Sequence, residues 1–174
     1  MAGPTPVVLV ADQHLIRCGV PTDGKRLLDV LNDKTTEFLR LLEPQLSPMT
    51  DPQMRVAAFA RGLVPKPNIS LALIIEEKHE APQKRANMMV RKNTFEVYVT
   101  VPGYEVRGFV HSERALEPLD FQARLVREGQ VFFPITEVTL TPVGPLGEPF
   151  RAPAAMVNRN RLGLFFLADK EAAV

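Results

Sequence analysis

One cysteine and one histidine are spaced so that they could act together. His14 and Cys18 lie four residues apart in a predicted β-strand, so both side chains face the same side of it. A histidine beside a thiol is the arrangement of a cysteine nucleophile with its general base. No acidic residue is placed to orient the pair, and a lone cysteine in an apolar strand is typical of a small core residue. We therefore expect Cys18 to be structural.

The histidines and glutamates give no pattern of a metal site or an acid–base site. His14, His79 and His111 are far apart in the sequence, whereas a zinc site needs three or four converging ligands. Glu43 and Glu137 occupy corresponding positions in two similar segments and would form a candidate carboxylate pair. We interpret them instead as solvent-facing strand residues. The sequence predicts no catalytic residue, no metal and no cofactor, and therefore a protein that is not an enzyme.

Basic residues form two groups that could contact nucleic acid. One group lies in the middle of the chain and the other near its end: Lys84, Arg85, Arg91 and Lys92, and Arg159 and Arg161. Clustered Lys and Arg bind phosphate backbones, and phenylalanine could add base stacking, although we expect most of the ten phenylalanines in the core. The net charge is only +1, so no overall field attracts a polyanion. We interpret both groups as solvated loops.

The elements that would position these residues occur twice in the chain. A shift of 94 residues places the segment 38–48 on 132–142, with identical Phe, Glu, Leu and Pro at four positions. A shift of 90 places residues 7–10 on 97–100, and the last apolar strand repeats at a shift of 91. Three blocks in the same order predict a tandem repeat, because the small changes in offset fall in loops. Apolar alternation, common to any two strand-rich stretches, is the alternative explanation.

Each copy has the pattern of five short strands with a helical segment after the second. The first two strands form a hairpin, at residues 7–20 and 96–111. The dipeptide Pro102-Gly103 favours a type II turn, because glycine adopts a positive φ without strain. The helical pattern is weaker in the second copy, where Pro118 and Gly129 interrupt it. Closing the five strands into a barrel would remove the exposed edges.

The predicted fold is therefore mostly β: two tandem small five-stranded barrels, each with a short helical segment. The first unit covers residues 1–78, a basic connector covers 79–94, and the second unit covers 95–174. No apolar stretch reaches the length of a membrane span, and the N-terminus lacks the basic region of a secretory signal. With Cys18 as the single cysteine, an internal disulfide cannot form. We expect a cytoplasmic protein.

Residues 104–110 form an Arg-Gly-containing return strand, and residues 132–140 read Phe-Phe-Pro-Ile-Thr-Glu-Val-Thr-Leu. In this order the two segments resemble small bacterial domains of unknown function with an Sm-like barrel. In the first copy, residues 28–32 look like the short helical segment of that family, and residues 66–69 look like its turn into the last strand. The resemblance covers most of both halves. Its motifs are structural, so it implies the barrel and no particular chemistry.

The repeat, the near-neutral charge and the lack of convergent catalytic residue types favour a non-enzymatic role. We expect a protein–protein interaction module or a structural, accessory subunit of a larger assembly. A protein partner or self-association is expected, because duplicated β-units present edges and faces to neighbours. Two alternatives stay open: an Sm-like protein that binds single-stranded RNA or DNA, and a regulatory domain that binds a small ligand in a pocket between the two units.

Overall fold

Strands dominate the part of the chain that the computed structural model describes, which comprises residues 3–76, 93–112, 117–144 and 147–167. The first half, residues 3–76, contains β1 Thr5–Ala11, β2 His14–Val20, α1 Leu27–Asn32, β3 Phe38–Pro48, β4 Ala57–Ala58, β5 Arg61–Pro65, a 3₁₀ helix Lys66–Asn68 and β6 Ile69–Ile74. The second half, residues 93–167, contains β7 Asn93–Val101, β8 Tyr104–Ser112, α2 Pro118–Arg127, β9 Phe132–Pro142, β10 Phe150–Asn158, a 3₁₀ helix Arg159–Arg161 and β11 Leu164–Leu167.

All eleven strands belong to one open antiparallel sheet. Its order is β11-β7-β8-β9-β10-β6-β1-β2-β3-β4, and β5 also pairs with β3. The prediction of two five-stranded barrels is wrong. Closure of the first barrel requires β6 to pair with β5 of its own half. The side of β6 that is free for this pairing is instead paired with β10 of the second half. The two halves therefore share one sheet, whose described edges are β11 at one end and β4 and β5 at the other.

The strands at the centre of the sheet are buried on both faces. Along β1, Val7 and Leu9 point into an apolar cluster beside α1, whereas Val8 and Val10 point into a second cluster beside α2. Strands covered on both faces have continuous apolar sequences rather than alternating ones. This explains the uninterrupted apolar run at residues 7–11 and the similar run in β6, which only Ser70 breaks. We refer to the cluster beside α1 as the α1 cluster and to the cluster beside α2 as the α2 cluster.

The two helices lie where helical segments were expected, but the second is the longer one. Pro118 opens α2 at its first position and Gly129 follows its end with a φ of +64°, so neither interrupts it. Proline is well suited to the first turn of a helix, because its missing N–H has no helical partner there. Phe121 and Leu125, four residues apart, bury one face of α2, just as Leu27 and Leu31 bury one face of α1.

The second and third strands of each half meet at a β-bulge. The pairing of β2 with β3 shifts between Arg17 and Gly19, and the pairing of β8 with β9 shifts between Arg107 and Phe109. Opposite each shift lies a glutamate with positive φ, 48° at Glu43 and 51° at Glu137. An extra residue in one strand bends it and increases its twist. Both glutamates are exposed, in agreement with their interpretation as solvent-facing residues.

Corresponding strands of the two halves pair in the same register. β5 pairs with β3 as β10 pairs with β9, and β6 pairs with β1 as β11 pairs with β7. The counterparts are Phe38↔Pro65 and Phe132↔Asn158, and Val7↔Ile74 and Val97↔Leu167. The last strands thus correspond at an offset of 93 residues. The offset of 91 inferred from the sequence assigns each side chain to the correct face of the sheet. It aligns each residue with a counterpart two positions away from the true one.

Replacing Gly108 tests the bulge in the second half. An added Cβ would lie 2.6 Å from the carbonyl oxygen of Thr136, and a backbone atom cannot move aside cheaply. We expect Gly108→Ala to lower the free energy of unfolding by about 1–3 kcal/mol, measured by urea denaturation. Cys18→Ala at the corresponding bulge is the control, since that position already carries a β-carbon, and it should lose less. An equal or smaller loss at Gly108 would contradict the tight contact.

Candidate interaction surfaces

Polar side chains tie the two halves together where β6 meets β10. The amide of Asn158 is fully buried, and its Nδ2 donates to the carbonyl oxygen of Ile69 at 2.8 Å. Asn32 at the end of α1 donates from Nδ2 to the carbonyl oxygen of Phe132 at 2.9 Å. Its Oδ1 accepts from the backbone N–H of Val131 at 2.8 Å and of Phe132 at 2.9 Å. These bonds satisfy backbone groups that would otherwise be unpaired at the junction.

Apolar side chains are exchanged across the same junction in both directions. Phe132 and Met156 of the second half are buried in the α1 cluster with Leu27 and Leu31. Leu71 and Leu73 of the first half are buried in the α2 cluster. Each cluster is therefore completed by side chains of the other half. We call this arrangement, the β6–β10 pairing with its exchanged side chains, the internal joint.

Exposed apolar side chains are concentrated at the two ends of the sheet. Nine of the twelve large exposed ones among the described residues lie on or beside these ends. At one end they are on β3, β5 and the segment between these strands, and at the other on α2 and β11: Phe38, Met54, Val56, Phe59 and Leu63, and Leu119, Val126, Leu164 and Phe166. Leu63 is 66% exposed and Phe166 is 53% exposed. Apolar patches of this kind mark interaction sites.

Both ends also offer unpaired backbone groups. Among the described strands, β11 pairs with β7 alone, and β5 and β4 pair with β3 alone. The outer side of each edge strand therefore carries N–H and C=O groups that a further strand could bind. We call the outer side of β5, with Phe38 and Leu63, the β5 edge. We call the outer side of β11, with Leu164 and Phe166, the β11 edge.

An apolar cleft of about 530 Å³ lies between α2 and the start of β11. The rings of Phe121 and Phe165, which line the cleft, stack with their centroids 5.1 Å apart. Leu125 and Leu164 also line it. Arg159 borders the cleft, and its Nη1 is buried without a hydrogen-bond partner among the described residues. The corresponding space beside α1 is filled by Phe132 and Met156 of the internal joint.

Lys66 is the only buried lysine among the described residues, and its contacts are structural. Its Nζ donates to the carbonyl oxygen of Asp33 and to Oγ1 of Thr36, both at 2.8 Å. Desolvation lowers the pKa of Lys66, and the nearby Asp33 carboxylate opposes that shift. The lysine thereby ties the loop after α1 to the 3₁₀ helix. A cleft of about 460 Å³ beside Lys66 is lined by residues of both halves. It therefore lies in the place where the small-ligand alternative requires a pocket.

Among the described residues, the side chains considered for thiol or metal chemistry do not converge on one site. His14 is exposed, whereas Cys18 packs against the α1 cluster, where desolvation raises the pKa of its thiol to about 12. Nδ1 of His111 is hydrogen-bonded to Oγ1 of Thr94 at 3.3 Å, and its Nε2 is hydrogen-bonded to Oγ1 of Thr136 at 2.8 Å. His79 lies outside the described residues. Within the described ranges, no group of three His, Cys, Asp or Glu residues could hold a metal ion.

The described residues include only one of the two groups of basic residues. Most of the predicted connector, including Lys84, Arg85, Arg91 and Lys92, lies outside the described residues. Arg159 and Arg161 form a 3₁₀ helix at the internal joint, where Nε of Arg161 donates to the carbonyl oxygen of Pro67 at 2.8 Å. Nε of Arg161, one of the residues considered for phosphate contact, thus binds the first half.

A scan against protein-family models, a search of curated proteins and a search of solved structures each found no match to this chain. In the described ranges, neither α-helix has the length and apolar character needed to cross a bilayer. Sequence reasoning missed Phe38, Leu63, Leu164 and Phe166, because an apolar residue in a strand pattern is expected to be buried. The repeat could have identified these four residues, since each of them corresponds to a residue of the internal joint.

Thiol reactivity tests the position of Cys18. At pH 8 a pKa of about 12 leaves a thiolate fraction roughly a thousandfold below that of a thiol with a pKa of 9.0. We expect the native protein to react with a thiol-specific reagent at least about 100-fold more slowly than the urea-unfolded protein. Equal rates in the two states would show that Cys18 is accessible and ionised in the native fold.

Asn32→Ala tests the polar part of the internal joint. The substitution leaves the N–H groups of Val131 and Phe132 without their acceptor, so we expect a loss of about 1–3 kcal/mol in the free energy of unfolding. Asn68→Ala is the control, because the side chain of Asn68, in the 3₁₀ helix Lys66–Asn68, has no hydrogen bond within the described residues. Urea denaturation of both variants measures the difference, and similar losses would contradict the role of Asn32.

Proposed function

We propose that this chain is a non-enzymatic interaction module, a structural subunit that binds protein through the two open edges of its sheet. The observation that carries the proposal is the position of the exposed apolar side chains. They are concentrated at the edge strands, whose outer sides have no partner among the described strands. A patch that combines both features offers a partner apolar burial and main-chain hydrogen bonds at the same place.

Strand addition is the binding mode that these edges support. A strand placed beside an open edge gains main-chain hydrogen bonds, and its alternate side chains gain specificity from pockets on the sheet. The β11 edge provides such a pocket in the cleft beside α2. Proteins usually protect edges with charges or prolines, yet Leu164 to Leu167 is an entirely apolar segment. An edge of this composition is best explained by a partner that covers it.

We also propose that the two halves are copies of one duplicated unit and that the protein works in the cytoplasm. The matching registers of corresponding strands and the equivalent bulges at Glu43 and Glu137 support the first proposal. The single cysteine, Cys18, is consistent with a reducing compartment. Nucleic-acid binding is less well supported, since Arg161 is engaged by the first half and the net charge is only +1.

Affinity purification of the tagged chain from its own cells tests the proposal. We expect a defined protein, identified by mass spectrometry, to co-elute with the wild type, and co-expressed untagged copies of this chain count as such a protein. That complex should re-form from purified components. Leu63→Glu should abolish it, because the substitution places a charge at the centre of the β5 edge. Val143→Glu is the matched control: Val143 is 63% exposed but follows β9, away from both edges.

Two results would contradict the proposal. Equal loss of the partner in the Leu63→Glu and Val143→Glu variants would show that the β5 edge is not the binding surface. Co-elution of nucleic acid, with an affinity for the purified chain that falls steeply as salt rises, would favour the RNA- or DNA-binding alternative.

A further inference from the structure

We infer that the occupant of these edges is a second copy of the same chain, bound head to tail, so that β5 of one copy pairs with β11 of the next. This inference rests on the proposed function and names its partner. It follows from a comparison of the two free edges with the internal joint. The joint pairs β10 with β6. The free edges are β5, which corresponds to β10, and β11, which corresponds to β6.

The internal joint predicts the register between copies. Within the chain, the joint pairs Ala154↔Ile74, Ala155↔Leu73, Met156↔Ala72 and Val157↔Leu71. The pairings of β5 with β3 and of β11 with β7 show which residues of the free edges correspond to these. The predicted pairs between copies are Arg61↔Leu167, Gly62↔Phe166, Leu63↔Phe165 and Val64↔Leu164.

The side chains exposed at the β5 edge match those that complete a cluster inside the chain. Phe38 corresponds to Phe132, and Leu63 corresponds to Met156. Phe132 and Met156 are almost completely buried beside α1, whereas Phe38 is 49% exposed. In a second copy, the space that corresponds to their site is the open cleft beside α2. Phe38 and Leu63 of one copy would fill that cleft in the next.

The β11 edge shows the reciprocal match. Leu164 corresponds to Leu71 and Phe166 corresponds to Leu73, the two residues of β6 that lie in the α2 cluster. Leu71 and Leu73 are buried, but Leu164 and Phe166 are about half exposed. The four side chains named here from β6, β9 and β10, Leu71, Leu73, Phe132 and Met156, thus each have an exposed apolar counterpart at the free edges. Head-to-tail pairing would bury all four counterparts at once.

An interface between two different edges has a directional consequence. Each copy keeps one free β5 edge and one free β11 edge after binding, so assembly continues until a ring closes or a filament grows. A two-fold dimer, in which the same edge meets itself, would stop at two copies. The internal joint contains unlike edges, and only the head-to-tail arrangement repeats it.

Complementary edge variants test the inference on the purified full-length chain. We expect the wild type to sediment as an oligomer at about 100 µM, well above the micromolar Kd of a weak specific interface. Leu63→Glu should disable the β5 edge and Phe166→Glu the β11 edge, each weakening association by at least about tenfold. Val143→Glu should assemble like the wild type. A mixture of the two edge variants should form a 1:1 dimer, since one intact edge of each kind remains.

Disulfide trapping tests the register and does not depend on the stability of the charged variants. Chains carrying Arg61→Cys and chains carrying Leu167→Cys are mixed under mild oxidation, and we expect a cross-linked dimer. Arg61→Cys mixed with Leu164→Cys is the control, because that position is three residues, about 10 Å, out of register. The native Cys18 should not compete, since its thiol is partly buried and protonated.

Several outcomes would overturn the inference. A wild-type chain that stays monomeric at about 100 µM would show that the edges do not bind each other. Cross-linking that is no faster in register than out of register would reject the predicted pairing. Assembly without dimer formation in the mixture would reject the head-to-tail arrangement. If the chain alone is monomeric but a different protein binds through Leu63, self-assembly fails while the proposed function stands.

Discussion

The pairing of β6 with β10 is the constraint on which the rest of the structure depends. β6 is apolar except for Ser70 and is buried on both faces, so both of its backbone edges must find partners away from water. β1 satisfies one edge and β10 the other. Once β10 is committed to β6, neither half can close upon itself. The single open sheet and its two free ends follow from this one choice of partner.

A second consequence is that neither half contains a complete core of its own. The α1 cluster includes Phe132 and Met156, and the α2 cluster includes Leu71 and Leu73. A short helix such as α1 has little stability by itself, since it depends on packing along its buried face. The halves are therefore units of sequence and of topology, but they share the packing that stabilises them.

The local elements could be predicted from the sequence, whereas their long-range partners could not. The hairpins and the positive φ of Gly103, which is 81°, follow from residue types that act over a few positions. The apolar run of β6 predicts a buried strand but does not identify the strand that will cover its second edge. The predicted interruption of this helix is wrong, because Pro118 begins α2 and Gly129 follows its end.

The candidate interaction surfaces could not be located from the sequence, for a related reason. Phe38 and Phe132 are the same residue type in the same strand position, and both have the pattern of a core residue. Only the topology separates them: β9 lies next to β10 inside the sheet, whereas Phe38 lies in β3, near the sheet edge. An alternation pattern reports which side chains share a face. It does not report whether that face is covered by the chain itself.

The polar contacts show how the internal joint and the free edges differ. Asn158 corresponds to Pro65, which has no side-chain donor, and Asn32 corresponds to Val126 on the exposed face of α2. The internal joint therefore has directional bonds that the edges lack. Pairing at the edges would depend mainly on apolar burial and main-chain bonds, which the proposed assembly could form and break without disturbing the fold. A permanent joint and a reversible one can thus be built from the same strand geometry, because a few polar side chains are present in one and missing from the other.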